Sequence, residues 1–414
     1  MTDNTKYMER KRKQKPSKRD KADLKGTHVI NALSFIFGFT DSFFVYVLSS
    51  YFARIIGSDN VGVFYLVTFA IVFVLLWHLR RLIRHVGGSV RTFFLLILAA
   101  IFASAVLSVL PIGWISAVLV MFLLVVTNLA WVSLDVVLEE FSDDGVTGRV
   151  RGLHLTIMNA GIMLAPFFST KVLEMADFNG IFFGITLGYS LLLAFAIILL
   201  HNGHEPETAD MEARSAWRKM LHEPNLFHIY IISFALEFFY VIMVIYTPIH
   251  LRSLGFSWEN IGLLFTVMLL PFVLLQYPLG VLADRQFGEK EFLIMSLGLS
   301  FMVTLAIGLF SSTSLFFWAV LLFLSRVGAA GIEVLRDAYF YKQIDGGDDD
   351  LIAFFRTARP AANVIAAFLA ILLLAFFPLQ SVFFIASVVL FISLYSAFRL
   401  EDTASEVELS SRRS

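Results

Sequence analysis

Three ionisable residues lie in the middle of long apolar runs, where a charge is costly and usually has a function. Asp41 lies about thirteen residues into its run, Glu237 about eleven and Arg326 about thirteen. At about 1.5 Å of rise per residue, each lies near the middle of a helix that crosses a bilayer. A carboxylate removed from water takes up a proton more readily, so Asp41 and Glu237 are candidates for proton coupling, and all three residues are candidates for contact with a polar solute.

Polar residues accompany Glu237 on one helical face. Tyr230, Ser233 and Tyr240 stand at i−7, i−4 and i+3, on the same side of the predicted helix. The role of Arg326 has more than one interpretation: it contacts the solute, it neutralises one carboxylate, or the three midplane charges form a paired polar core. The sequence leaves these alternatives open.

The composition indicates an integral membrane protein, because 58% of the residues are apolar, 16% are charged and the mean hydropathy is +0.78. Apolar runs long enough to cross about 30 Å of hydrocarbon as helices recur along the whole chain. The twelve predicted spans are residues 28–50, 60–79, 92–110, 114–137, 151–172, 179–200, 226–249, 260–282, 292–310, 313–338, 351–375 and 379–398.

Basic residues predict the orientation, since cytoplasmic loops retain Lys and Arg during insertion. Most of the 32 Lys and Arg residues fall on one side if both termini are cytoplasmic. The protein is therefore expected in the cytoplasmic (inner) membrane, surrounded by the lipid bilayer. The prediction also includes a disordered basic tail at residues 1–27, a cytoplasmic central loop at 201–225 and a cytoplasmic tail at 399–414.

An internal repeat divides the spans into two sets of six. The tetrapeptides "DNVG" at residues 59–62 and "ENIG" at 259–262 each open an apolar run, 200 positions apart. The sequence therefore predicts an all-α membrane protein with twelve transmembrane helices in two pseudo-symmetric six-helix bundles, residues 28–200 and 226–398.

A second set of charges lies near the predicted cytoplasmic ends of the spans. Arg326, Glu333 and Asp337 share one helical face by their spacing, whereas Arg336 turns about 80° away. Basic residues begin the next span in each half, and two readings stay open: ion pairs that hold neighbouring helices together, or a gate. The set comprises Asp135, Glu139, Arg149, Arg151, Glu333, Arg336, Asp337, Arg356 and Arg359.

The segment "GVLADRQFGEK" resembles the loop signature of the major facilitator superfamily. The residues in the signature's roles are Gly280, Asp284, Arg285, Gly288 and Lys290, with Gly288 one position later than the common spacing. The resemblance implies the twelve-helix fold, a central cavity lined by spans 1, 4, 7 and 10, and transport by alternating access.

Other elements of the superfamily pattern are eroded in this chain. The corresponding N-terminal loop "RRLIRHVGG" has Arg84 at the acidic position, and span 4 lacks the superfamily's Arg. Of the antiporter element of span 5, only Gly161, Ala165 and Pro166 remain. The direction of transport therefore stays open.

These observations predict a secondary active transporter that moves a small polar, charged or amphipathic solute, driven by protons. No ATP-binding motif of the Gly-x-x-x-x-Gly-Lys type is present, and the lack of Cys excludes thiolate metal sites. We expect a monomer with no metal, cofactor, nucleic-acid partner or enzymatic activity. The alternatives are a membrane sensor on the same fold, which would have lost the midplane charges, and a lipid-modifying enzyme, which would need larger outside loops.

Arg84, which stands at a position that is acidic in the superfamily, suggests a hypothesis. In the superfamily, the acidic residue of this loop lies near the start of span 11, and here that start follows "IDGGDDD". Arg84 could pair with Asp349 and Asp350 as a swapped latch that closes the cytoplasmic side. The alternative is that all three are solvated loop charges, which contribute little.

If the latch exists, Arg84→Asp should weaken closure by repulsion, and adding Asp349→Arg and Asp350→Arg should restore it. Closure is measured as crosslinking between cysteines engineered into the two loops. A combined variant that crosslinks no better than Arg84→Asp alone would rule the latch out.

Overall fold

The computed structural model describes residues 18–140, 147–199, 219–220, 222–276, 278–279, 289–344 and 349–401, and their regular structure is helical. The helices are α1 (Lys18–Ile56), α2 (Gly62–Val86), α3 (Ser89–Leu107), α4 (Trp114–Glu140), α5 (Thr147–Leu199), α6 (Pro224–Ser253), α7 (Trp258–Leu274), α8 (Lys290–Leu309), α9 (Leu315–Lys342), α10 (Asp349–Phe355), α11 (Ala358–Leu374) and α12 (Ser381–Arg399).

The lengths of these helices agree with the predicted twelve crossings. Within the described residues, eight helices are long and apolar enough to cross a membrane. One of them, α5, contains a 43-residue apolar stretch that suffices for two crossings, and α2, α7 and α11 contribute shorter apolar stretches. The chain is an all-α, multi-pass membrane protein with twelve transmembrane segments in two bundles.

Two boundaries differ from the prediction. Helix α1 begins at Lys18, so residues 18–27 of the predicted disordered tail are helical, and their Lys, Arg, Ala and Leu content suits a helix. Spans 5 and 6 remain two helical segments of α5, because the backbone of Asp177 between them (φ 51°, ψ −161°) is not helical.

The second difference is in span 11, which is broken into α10 and α11 at Arg356 and Thr357. Pro360 explains the break, because a proline has no N–H to donate and its ring clashes with the carbonyl four residues earlier. That carbonyl belongs to Arg356.

Helices α1–α5 form one half and α6–α12 the other. Within the N-terminal half, α1 packs along α5, and α3 packs against α4. Within the C-terminal half, α6 packs against α11 and α12, while α8 packs against α9 and α12. The most extensive contacts between the halves, within the described residues, join α5 with α7, α2 with α11, and α1 with α6.

The two repeated tetrapeptides end in glycines that lie between the halves. A side chain on Gly62 of α2 would collide with Ile371 and the Ala367 carbonyl of α11. A side chain on Gly262 of α7 would collide with Thr170 of α5. The sequence repeat therefore marks the two places where helices of opposite halves approach most closely through glycine.

Hydrogen bonds join the halves on the face opposite the chain termini. Asn60 donates from Nδ2 to the Ile371 carbonyl at 3.2 Å. The Glu259 amide donates to Glu174 Oε1 at 2.9 Å. Both bonds lie beside the two close glycine approaches, so the halves are in contact at this face.

Gly262→Val should separate the halves at this face, because overpacking costs about 1–3 kcal/mol, which reduces the closed population about fivefold or more. The chain has no native Cys, so Glu174→Cys with Glu259→Cys reports closure by crosslinking. Gly298→Val is the matched control, because nothing lies within 4 Å of the Gly298 Cβ position. Equal crosslinking in both valine variants would contradict the interpretation.

Candidate functional site

Asp41 of α1 is held inside the N-terminal half by uncharged donors. Trp131 of α4 donates from Nε1 to Asp41 Oδ2 at 3.0 Å, and the Tyr189 hydroxyl of α5 donates to Oδ1 at 3.3 Å. The Phe37 ring stacks on Trp131 with centroids 4.2 Å apart and so supports the indole. The carboxylate is thereby fixed without an ion pair among the described side chains.

Glu237 of α6 is buried between two guanidinium groups. Its Oε1 lies 3.2 Å from Arg336 Nη2 of α9, and its Oε2 lies 3.3 Å from Arg359 Nε of α11. Arg336 is also buried and donates to Ser233 Oγ at 2.7 Å, whereas the Arg359 side chain is 73% exposed. Two charges removed from water stabilise each other only as a pair, so the Glu237–Arg336 bond strongly fixes α6 against α9.

This pairing differs from the predicted grouping. The sequence suggested a midplane set of Asp41, Glu237 and Arg326, separate from an inner cluster, with Arg336 turned away. Instead, Glu237 pairs with Arg336 and Arg359 of the inner cluster, because a long Arg side chain reaches beyond its own helical turn. The midplane charges therefore do not form a mutually paired core.

Glu333 of α9 is bound by neutral groups that lead to the other half. Its Oε2 accepts hydrogen bonds from the Tyr240 hydroxyl at 3.2 Å and from Gln276 Nε2 at 3.0 Å. Gln276 Oε1 in turn accepts from Asn159 Nδ2 of α5 at 3.2 Å. A chain of side chains thus runs from Tyr240 and Glu333 in the C-terminal half to Asn159 in the N-terminal half.

Sequence reasoning missed Gln276 and Asn159, although the signal was present. Each is a single amide inside an apolar run, "VLLQYPLG" and "TIMNAGIML". Inside a membrane, an isolated amide needs a hydrogen-bond partner, and a search for amides would have found this pair.

Arg326 of α9 is 2% exposed and lies over two aromatic faces. Its guanidinium carbon is 5.3 Å from the Phe239 ring centroid and 5.4 Å from that of Tyr240. Within the described residues, its Nε has no hydrogen-bond partner. The two ring faces therefore contribute to stabilising the cation.

The three predicted companions of Glu237 have separate partners. Ser233 shares Arg336 with Glu237, and Tyr240 donates to Glu333. Tyr230 is hydrogen-bonded to Thr357 at 3.1 Å, at the break between α10 and α11. The polar face predicted on α6 is therefore divided among helices α9 and α11.

Other predicted residues are located only in part. Asp337 lies 3.2 Å from Arg336, and Arg84 and Arg356 are exposed. Lys290 begins α8, and Gly161 is buried against the α1 backbone at Phe35. Gly280, Asp284, Arg285 and Gly288 lie outside the described residues, as do the side chains of Asp135, Glu139, Arg149, Arg151, Asp349 and Asp350. The swapped latch stays a prediction.

The described side chains combine a buried ion pair, two carboxylates with neutral partners and a buried cation. In the part of the chain that the structure describes, no group of three or more His, Asp or Glu is arranged to hold a metal ion.

Residues 251–414 match the family described as Major Facilitator Superfamily. No sequence among the curated proteins matches this chain. Solved structures share its fold: a POT family transporter bound to a thioalcohol-conjugated peptide has a TM-score of 0.71 at 12% identity, over 89% of this chain and 94% of that one.

The nucleoside transporter NupG has a TM-score of 0.69 at 11% identity, over 91% of this chain and 100% of that one. A bacterial metal transporter has a TM-score of 0.62 at 14% identity, over 93% and 99%. The match over residues 251–414 and the shared twelve-helix architecture confirm the predicted resemblance: this chain is a multi-pass membrane protein with the fold of the major facilitator superfamily.

Proposed function

We propose that this protein is a secondary transporter that moves a small polar solute across the cytoplasmic membrane by alternating access, driven by protons. The observation that carries the proposal is a pair of carboxylates inside the apolar bundle, Asp41 and Glu333, one in each half and each hydrogen-bonded to neutral donors. Such carboxylates can change protonation state without leaving an ion-pair partner behind.

The architecture supports the transport part of this proposal. Proteins with this fold include transporters of the POT family, of nucleosides and of metal, so the fold is compatible with several polar cargoes and selects none of them. The halves touch through close glycine contacts and hydrogen bonds on the face opposite the termini. A rocking motion that opens this face would expose the groups between the halves to the other side.

The hydrogen-bond and ion-pair partners of the three carboxylates support different roles for them. Glu237 has two guanidinium partners, and protonating it would leave the buried Arg336 without its counter-ion. Asp41 and Glu333 have indole, phenol and amide donors instead. We therefore assign coupling to Asp41 and Glu333, and a structural role to Glu237.

Protonation of Glu333 would also act on the contact between the halves. Hydrogen bonds to a charged acceptor are stronger than those to a neutral one, so a proton on Glu333 weakens its bond to Gln276. Gln276 then holds Asn159 of α5 less firmly, because its own amide is no longer oriented. Loading a proton would thus loosen a connection between the two halves.

Coupling can be measured in proteoliposomes with a solute identified from an uptake panel of metabolites and drugs. Asp41→Asn and Glu333→Gln should abolish accumulation driven by a pH gradient, while exchange at equal concentrations continues. The matched control is Glu259→Gln, because the Glu259 side chain is exposed and its backbone amide makes the described bond. Full accumulation in both test variants would remove these residues from the coupling step.

The structural role of Glu237 predicts a stability difference between its two partners. Arg336→Met breaks a buried pair and should destabilise the protein by about 3–5 kcal/mol. Arg359→Met removes a largely exposed partner and should cost about 1 kcal/mol or less. Both effects can be measured by SDS-induced unfolding in mixed micelles.

A compensating variant sharpens that comparison. Glu237→Leu combined with Arg336→Met replaces both buried charges by apolar groups and should recover part of the stability that Arg336→Met loses. Similar small losses for Arg336→Met and Arg359→Met would show that the buried pair does not hold α6 to α9.

A further inference from the structure

Among the residues that the structure describes, no carboxylate lies within ion-pair distance of the buried Arg326 guanidinium, in contrast to Arg336. Each carboxylate nearby is bound elsewhere: Asp41 by Trp131 and Tyr189, Glu237 by two Arg, and Glu333 by Tyr240 and Gln276. Arg326 is 2% exposed, and its Nε is without a hydrogen-bond partner among the described residues. A buried cation without an ion-pair partner is costly, which makes Arg326 a candidate for binding an anion.

The surroundings of Arg326 place it at the boundary between the halves. Phe239 and Tyr240, the rings over which Arg326 lies, belong to α6, which packs against α1 of the opposite half, the helix of Tyr46. The Tyr46 ring also contacts Phe265 of α7, with centroids 5.2 Å apart. The cation therefore faces the region that a solute would occupy during alternating access.

The aromatic faces beside Arg326 define the rest of the site. The Phe239 and Tyr240 rings lie within cation–π distance of the guanidinium carbon, and Nε has no hydrogen-bond partner among the described residues. A guanidinium edge matches the two oxygens of a carboxylate.

We propose that the transported solute is an organic carboxylate, whose carboxylate group binds Arg326 and whose apolar part packs against Phe239 and Tyr240. This inference rests on the proposed transport function and adds the substrate class. Arg326 is then a specificity-determining residue that rejects neutral and cationic analogues of the same shape.

The test uses the full-length protein in lipid nanodiscs and matched pairs of probes. Benzoate, phenylacetate and hexanoate are compared with their amides, and with benzylammonium and phenyl phosphate, by calorimetric titration. At least one carboxylate should bind the unmodified protein tenfold or more tightly than its amide. That preference should be lost in Arg326→Gln, retained in part in Arg326→Lys and unchanged in Arg399→Gln, which removes an exposed guanidinium on α12.

Even if Arg326→Gln does not fold, binding of the probes to the unmodified protein tests the inference. No carboxylate binding better than its amide would overturn it, as would undiminished carboxylate binding to folded Arg326→Gln. Tighter binding of phenyl phosphate than of every carboxylate would overturn the assignment of the anion.

Transport measurements separate this inference from the function on which it rests. In one outcome, carboxylates bind in a way that depends on Arg326, but proteoliposomes show no gradient-driven uptake of them. That outcome would contradict the transport function and would still support the anion site at Arg326. Gradient-driven uptake of a neutral or cationic solute that persists in Arg326→Gln would contradict the substrate class and leave the transport function.

Discussion

The ion pair between Glu237 and Arg336 is the interaction on which the C-terminal half depends. Both groups are buried in an apolar bundle, where either charge alone would be unstable, so α6 and α9 are held at one rotation and one depth. With Arg336 directed at α6, the next carboxylate of α9, Glu333, points to Tyr240 and Gln276. Arg326, two turns earlier, then lies over Phe239 and Tyr240.

The two halves stabilise their inner carboxylates with different groups. The N-terminal half surrounds Asp41 with an indole and a phenol, which leaves the charge free to change. The C-terminal half separates the tasks, since Glu237 is neutralised by arginines while Glu333 keeps neutral partners. A sequence repeat therefore carries the same architecture in both halves but not the same chemistry.

The sequence predicts the crossings well, because length and hydrophobicity alone determine whether a helix can span the bilayer. It also predicts which charges lie inside, since depth follows from position along a helix. It does not predict which side chains form ion pairs or hydrogen bonds with one another. The rotation of α9 and the reach of Arg336 are set by packing against α6, and the break before α11 follows from Pro360, which the apolar pattern hides. Asn159 and Gln276 are adjacent only in the folded protein.

The ion pairs of Glu237 and Asp337 described above lie within the C-terminal half, whereas the described polar contacts between the halves are hydrogen bonds. A hydrogen bond contributes about 0.5–1.5 kcal/mol net, so breaking these contacts costs less than breaking a buried ion pair. Rigid-body motions of this kind occur in roughly microseconds to milliseconds. In the proposed cycle, the empty protein would therefore change sides quickly, and the dwell time of the loaded protein would be set by the contacts of the solute itself.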